Sequence, residues 1–213
     1  QNIKTQDKRI DLLNKYKINY VAWGKNKFSK NFSWVDLDNK AAIEKITNYL
    51  IKNKHKHISY INISEKYNFA SERKASFLKT LKNNKIRFNK NYYASVKLEE
   101  PEKSFEIIKK MLSKNKKITS IICSTEFSAL SAIKACNYLN LEIGKDISII
   151  TFDGPLVKDL SSPPITAISF PVQELGKRAI KILLKGHSNK KNYSNFQAKS
   201  EIIERGSVHQ VRE

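Results

Sequence analysis

The 213-residue sequence predicts an α/β fold in which parallel strands are covered by helices. Three observations carry the prediction. Helical and strand patterns alternate nearly throughout. Several strands are short, continuous apolar runs, as in ITSIICS (118–124) and DISIITF (146–152), the pattern of strands buried on both faces. Polar side chains follow the ends of consecutive strands, and in parallel sheets ligands sit beyond those carboxyl ends.

Taken in order, residues 7–16 place Ile10, Leu12, Leu13 and Tyr16 on one helical face, and INYVAW (18–23) is a short strand. FSWVDLD (32–38) is extended. Asp38 then caps a helix to about residue 53, with Ala41, Ala42, Ile46, Tyr49 and Leu50 inward. HISYINI (57–63) is a strand, and 70–83 a helix burying Phe77, Leu78 and Leu81. YYASVKL (92–98) is the next strand, and Pro101 opens a helix, a favoured use of proline in the first turn. The strand 118–124, a helix over 126–140 and the strand 146–152 follow. PITAISF (164–170) is extended, 171–186 is a helix ended by Gly186, and FQAKSEIIE (196–204) is one final strand.

The composition is globular, with 40% hydrophobic residues and no run near the roughly 18–20 apolar residues of a membrane span. No membrane association is expected. The formal charge of +20 invites a nucleic-acid reading, but only six of the 40 basic residues are Arg and the Lys are scattered among Asn and Ile. That bias is what an AT-rich genome favours; a phosphate-reading face shows more Arg in a clustered stripe. KNKHKH (52–57) is the densest short run, and a solvated turn accounts for it. Cys123 and Cys136 are too few for a disulfide framework and are expected to be reduced core thiols, as in a cytoplasmic protein. No targeting signal is visible, and a chain starting on Gln1 is read as cut or incomplete. There is no G-x-S-x-G, no G-x-x-x-x-G-K-[ST] and no G-x-G-x-x-G, and His55, His57 and Cys123 form no metal spacing. No enzyme activity, cofactor or metal is expected.

Four stretches carry a family resemblance. YNFASERKASF (67–77) resembles the Y-N-x-x-x-x-R-x-x-G-F signature of LacI/GalR-type repressor effector domains. EIGKDISIITFDG (142–154), PPITAISFPVQELGKRAIKILL (163–184) and IIERGSV (202–208) are similar to that family's later motifs, in order and at its spacing. Departures fall at Ser76, Lys54 and Ser131, where the family has Gly, and at Glu126, where it has Asp. These touch packing more than ligand contacts.

The resemblance implies a periplasmic-binding-protein-like fold of two Rossmann-like lobes with parallel sheets joined by three crossing strands, the first lobe incomplete. Residues 1–54 with 171–190 are expected in that first lobe, and 55–170 with 191–213 in the second. It implies a cleft for a small-molecule effector, a sugar or sugar derivative, with WVDLDN and YNFASER closest to repressors of α-glucoside utilisation. Nucleosides and purines are bound elsewhere in that family. It further implies a cytoplasmic homodimer that binds operator DNA through a helix-turn-helix head lying before this chain. The competing reading is a secreted sugar-binding protein of a transporter; a sugar-converting enzyme on a similar fold is a third.

The expected ligand contacts are Arg73, Asp153, Thr125, Phe69, Trp34 and Asp38. The Arg73 fork donates to vicinal hydroxyls or a carboxylate, or else pairs with Glu72. Asp153 accepts sugar hydroxyls, or else serves the turn before Gly154 and Pro155. Thr125 is a ligand hydroxyl or a helix cap. Phe69 and Trp34 offer rings to the apolar face of a sugar, or pack the core. Asp38 is first a cap and second a cleft residue.

Overall fold

The computed structural model describes residues 2–98, 100–159, 161–186 and 193–211. In chain order the helices are α1 (Lys8–Lys15), α2 (Asn39–Lys52), α3 (Asn68–Asn83), α4 (Lys103–Lys114), α5 (Glu126–Tyr138), α6 (Pro155–Asp159) and α7 (Val172–Gly186). The strands are β1 (Val21–Trp23), β2 (Ser33–Leu37), β3 (Ile58–Ile63), β4 (Tyr93–Val96), β5 (Ser120–Cys123), β6 (Ser148–Phe152), β7 (Thr166–Ile168), β8 (Asn195–Ala198) and β9 (Ile202–Ile203).

The larger sheet has the order β4-β3-β5-β6-β7-β9, parallel except for the antiparallel β7–β9 pair. Every residue of β3, β5 and β6 is buried, because helices cover both faces. The period of two along each strand divides the apolar residues between those faces. Ile58, Tyr60, Ile122 and Ile150 pack with Ile43, Ile46 and Leu50 of α2 and Phe77 and Leu81 of α3. Ile61, Ile121, Cys123 and Ile149 pack with Ile108 of α4 and Ala132 and Cys136 of α5. Each fully buried Ile or Phe stabilises the fold by about 1.5–3 kcal/mol. Both cysteines are free and buried.

The smaller sheet, β1-β2-β8, is wholly parallel and packs against α7. Beneath α1, Ile3, Ile10, Ala22 and Phe32 form a separate cluster. Of the four residues expected on the inner face of α1, only Ile10 is buried; Leu12 and Tyr16 are exposed.

The chain passes between the sheets three times: after β2, after β7 and after β8. Sheet membership differs from the expected partition in two places. Residues 39–52 were assigned with the strand before them, yet α2 packs on α3 and the larger sheet. The single strand expected over 196–204 is two strands in different sheets. The turn between them is fixed at both edges, where Asp38 N donates to Ala198 O (2.9 Å) and Ser169 N to Glu201 O (2.8 Å). Residues 187–192, which that partition divides between the lobes, lie outside the described residues. The helix expected to open at Pro101 begins at Lys103, with Pro101 in the preceding turn. Lys54, where the family pattern has Gly, takes a left-handed backbone (φ 65°) at the end of α2, the conformation in which glycine carries no steric cost.

Candidate functional site

At the carboxyl ends of the larger sheet's central strands, where the smaller sheet folds over them, lies a cavity of about 180 Å³. The smaller sheet contributes Trp23 at the end of β1, Lys25 just beyond it, and Asp36 of β2. The larger sheet and its helices contribute Phe69 and Arg73 of α3, Ser124 and Thr125 beyond β5, and Phe152 at the end of β6. Asn39, the first residue of α2, and Phe170, at the second crossing, stand between the two.

Arg73 is the centre of this arrangement. Its side chain is buried, with Nε donating to Asn39 Oδ1 (2.8 Å) and NH1 to the Ser124 carbonyl (3.2 Å). The guanidinium lies 3.5 Å from the centre of the Phe152 ring and 4.8 Å from that of Phe69, close enough for a cation–π attraction. Burial lowers its pKa to about 10, which leaves it charged at neutral pH. The ion pair with Glu72 that competes with a ligand role is not formed; Glu72 faces Lys25 instead (3.8 Å).

Asn39 connects this cation to the smaller sheet. Its Nδ2 donates to Asp36 Oδ1 (3.2 Å) and to the Leu37 carbonyl (3.1 Å), while its Oδ1 takes the Arg73 bond. Asp36 Oδ1 also accepts from Leu37 N (2.8 Å). Burial raises the Asp36 pKa to about 6, with Lys25 and Arg73 opposing the rise. Behind the cavity, Ser124 Oγ donates to Asn62 Oδ1 (2.8 Å), and Asn62 Nδ2 donates to the Ala70 carbonyl of α3 (2.9 Å). This buried, satisfied network ties β5 to α3 and so holds Arg73 in place.

Three of the six expected contacts line the cavity: Arg73, Thr125 and Phe69. Thr125 also fills its alternative role, capping α5 by accepting from Ser128 N (3.2 Å). The other three lie outside the lining. Trp34 packs against Ile3, Ala22 and Phe32, with Lys25 Nζ 5.3 Å from its ring centre. It is the second residue of β2 and is not among the residues that line the cavity. Asp38 caps α2, accepting from Ala41 N (3.0 Å). Asp153 Oδ1 pairs with Arg205 NH2 at 2.6 Å, and Arg205 NH1 also donates to the Ile165 carbonyl (2.9 Å). Successive side chains leave a strand on opposite sides, so Phe152 enters the cavity and the neighbouring carboxylate does not. Gly154 then keeps the turn open, since a Cβ there would collide with the Glu126 carboxylate that caps α6 through Leu156 N (2.8 Å).

Asp36, Asn39, Lys25, Trp23, Ser124 and Phe152 also line the cavity and are not among the six expected contacts. Asp36 carried a signal: an acid inside an otherwise apolar strand, two residues before a helix cap. Asn39 carried none, because its bond to Arg73 joins positions far apart in the chain.

Residues 47–208 match the family model described as a periplasmic binding protein-like domain. The chain belongs to that family. The HTH-type transcriptional repressor PurR of Histophilus somni strain 2336 is 32% identical over 163 residues, covering 76% of this chain and 49% of the repressor. The HTH-type transcriptional regulator AglR of Rhizobium meliloti is 27% identical over 211 residues, covering 97% of this chain and 59% of the regulator. Among solved structures, a transcriptional regulator CelR–cellobiose complex superposes with a TM-score of 0.89 at 16% identity, covering 96% of this chain and 63% of that one. The LacI/GalR resemblance and the two-sheet fold it implied are thus borne out. Both curated relatives are named as transcription regulators, which favours a regulator's sensing domain over a secreted transporter component. The chain spans about half the length of the curated relatives it matches. Among the described residues, no helix is long and apolar enough to cross a membrane.

Proposed function

We propose that this chain senses a sugar or sugar derivative for a LacI/GalR-type transcription regulator, acting as a non-enzymatic, cytoplasmic homodimer. Its lobes are residues 2–37 with 170–186 and 193–198, and residues 38–98 with 100–159, 161–169 and 199–211. The observation that carries the reading is the buried Arg73, held by Asn39 against Phe152 in a cavity walled by both sheets. A fixed guanidinium fork suits vicinal hydroxyls, and Phe69, Phe152 and Trp23 offer faces to the apolar side of a sugar ring. A similarly folded regulator forms a complex with cellobiose, a glycoside.

Ligand contacts are assigned to Arg73, Thr125, Phe69, Asp36 and Lys25, while Asp153 positions the end of β6 through Arg205. Ligand bridging the two lobes changes operator affinity only as far as it prefers one lobe angle. Operator binding itself belongs to a helix-turn-helix head. A thermal-shift screen of glucosides, galactosides, pentoses and nucleosides tests the reading. A glycoside is expected to raise the melting temperature, and Arg73→Ala to abolish that rise. Stabilisation by nucleosides alone would replace the sugar with a purine-type effector.

A further inference from the structure

The opposite edge of the larger sheet is built differently. β4, β3 and β5 are neighbours, so the loops that lead into them lie side by side at the strands' amino ends. Those loops read NKIRFNKNY (84–92), NKHKH (53–57) and NKKIT (115–119), without one Asp or Glu. They enclose a groove of about 680 Å³ lined by Lys56, Arg87, Lys90 and Lys117 and by no acidic residue.

Some lysines elsewhere on the surface are paired with a carboxylate, as Lys109 is with Glu106 and Lys145 with Glu142. None of the four groove cations has a carboxylate partner among the described residues. The carboxyl ends of α2, α3 and α4 also point toward these loops. Three helix dipoles supply only about −1.5 charges in all, at about −0.5 each. Four cations therefore leave an excess of about 2.5 charges in one groove. Such an excess is matched by a ligand carrying several negative charges.

The groove also has an aromatic wall. Phe88 is 38% exposed, though Phe77 and Tyr93 pack edge-on against it, each with ring centres 6.4 Å away. Tyr92, alongside, brings its hydroxyl to 3.4 Å from His57 Nδ1. A fixed, partly exposed ring beside clustered cations suits a base attached to phosphates, since a base gains affinity by stacking on an aromatic face.

We propose that this groove is a second ligand site, for a nucleoside polyphosphate, with the phosphates among Lys56, Arg87, Lys90 and Lys117 and the base on Phe88. It lies at the other end of the sheet from the Arg73 cavity, so both sites fill independently.

The test titrates the 213-residue chain calorimetrically with ATP, GTP, AMP, tripolyphosphate and a short oligothymidine strand, at roughly 0.15 M salt. ATP or GTP is expected to bind, with AMP and tripolyphosphate each at least about fivefold weaker. The exposed pair Arg87→Glu/Lys117→Glu is expected to weaken nucleotide binding by at least about tenfold. The equal charge change Lys8→Glu/Lys30→Glu, far from the groove, should alter it by less than about twofold. Phe88→Ala, which leaves every charge in place, should weaken ATP but not tripolyphosphate, and Arg73→Ala should change neither. The proposal is overturned if neither nucleotide binds at millimolar concentration, or if both charge reversals weaken binding equally. It is also overturned if tripolyphosphate matches ATP, or if oligothymidine binds more tightly than either nucleotide and is lost with Arg87→Glu/Lys117→Glu, which would make this a nucleic-acid groove.

Discussion

The two edges of the larger sheet carry their charges in opposite ways. At the carboxyl edge, Arg73 is buried and shared between Asn39 and the Ser124 carbonyl. At the amino edge, Lys56, Arg87, Lys90 and Lys117 stand exposed around an acid-free groove. The strands are the same; the covering differs. The smaller sheet folds over the carboxyl edge and removes its water, so a charge there persists only inside a hydrogen-bonded network. Nothing described covers the amino-edge loops, where water solvates unpaired lysines at little cost.

The largest effect that probes this contrast is Arg73→Ala. The carboxyl-edge network then loses its cation, and Asn39 Oδ1 and the Ser124 carbonyl lose donors. Unfolding free energy in denaturant is expected to fall by about 2–4 kcal/mol, and affinity for any cleft ligand by about a hundredfold, near 3 kcal/mol at the strong end of a charged hydrogen bond. Arg73→Lys keeps the charge without the fork and should recover only part of either loss. Arg87→Ala at the other edge should change stability by less than about 0.5 kcal/mol. Equal losses for Arg73→Ala and Arg87→Ala would erase the distinction between the edges.

The edges should also respond to pH with opposite signs. Asp36, at the carboxyl edge, has a folded pKa raised from 3.8 to about 6 by burial. A raised folded value means that its favourable contribution is complete below 3.8 and is lost as pH rises through about 6. The loss approaches about 3 kcal/mol by pH 8, from roughly two units at 1.36 kcal/mol each. Asp36→Asn keeps an acceptor for Leu37 N, so it should raise the melting temperature at pH 8 and leave it almost unchanged at pH 4. His55, at the amino edge, shares Thr119, Ser148 and the His209 carbonyl, and burial lowers its pKa to about 4. A depressed folded value reverses the sign: stability is complete above 6.5 and lost as pH falls toward 4. Melting curves of His55→Gln should therefore lose the acid limb below pH 6.5, while those of Asp36→Asn lose the alkaline one.

Legibility followed the same divide between local and long-range physics. Strand and helix identities were readable because the apolar period is local: Ile58 to Ile63 alternate between two helical layers whatever the rest of the chain does. Arg73, Phe69 and Thr125 were readable from motif position at a strand's exit or a helix's start. The partition of the chain was not. FQAKSEIIE has one continuous strand pattern, and only the bonds of Asp38 and Ser169 turn it from one sheet to the other. The helix after β2 was expected to return to its own sheet, as crossovers do, whereas the hinge carries it to the neighbouring one. Asn39 was hidden for the same reason, since it acquires its role only when β2 and α3 meet around it.

Asp153 gives the smallest effect and the sharpest use of the comparison. It lies at the carboxyl edge one residue from Phe152, yet its carboxylate pairs with Arg205 beside the cavity rather than within it. Its side chain is 27% exposed and that of Arg205 12%, so the pair resembles a partly screened surface bridge more than the Arg73 network. Asp153→Ala is expected to lower stability by about 1 kcal/mol, since Arg205 keeps its bond to the Ile165 carbonyl. Cleft affinity, measured by titration with the glycoside found in the screen, should fall by less than about threefold, well under 1 kcal/mol. A loss as large as that of Arg73→Ala would mean that ligand draws the carboxylate away from Arg205 and into the cavity. The end of β6 would then be a moving contact rather than a fixed wall, and Arg205→Ala should tighten ligand binding by freeing Asp153, the opposite of what a fixed wall requires.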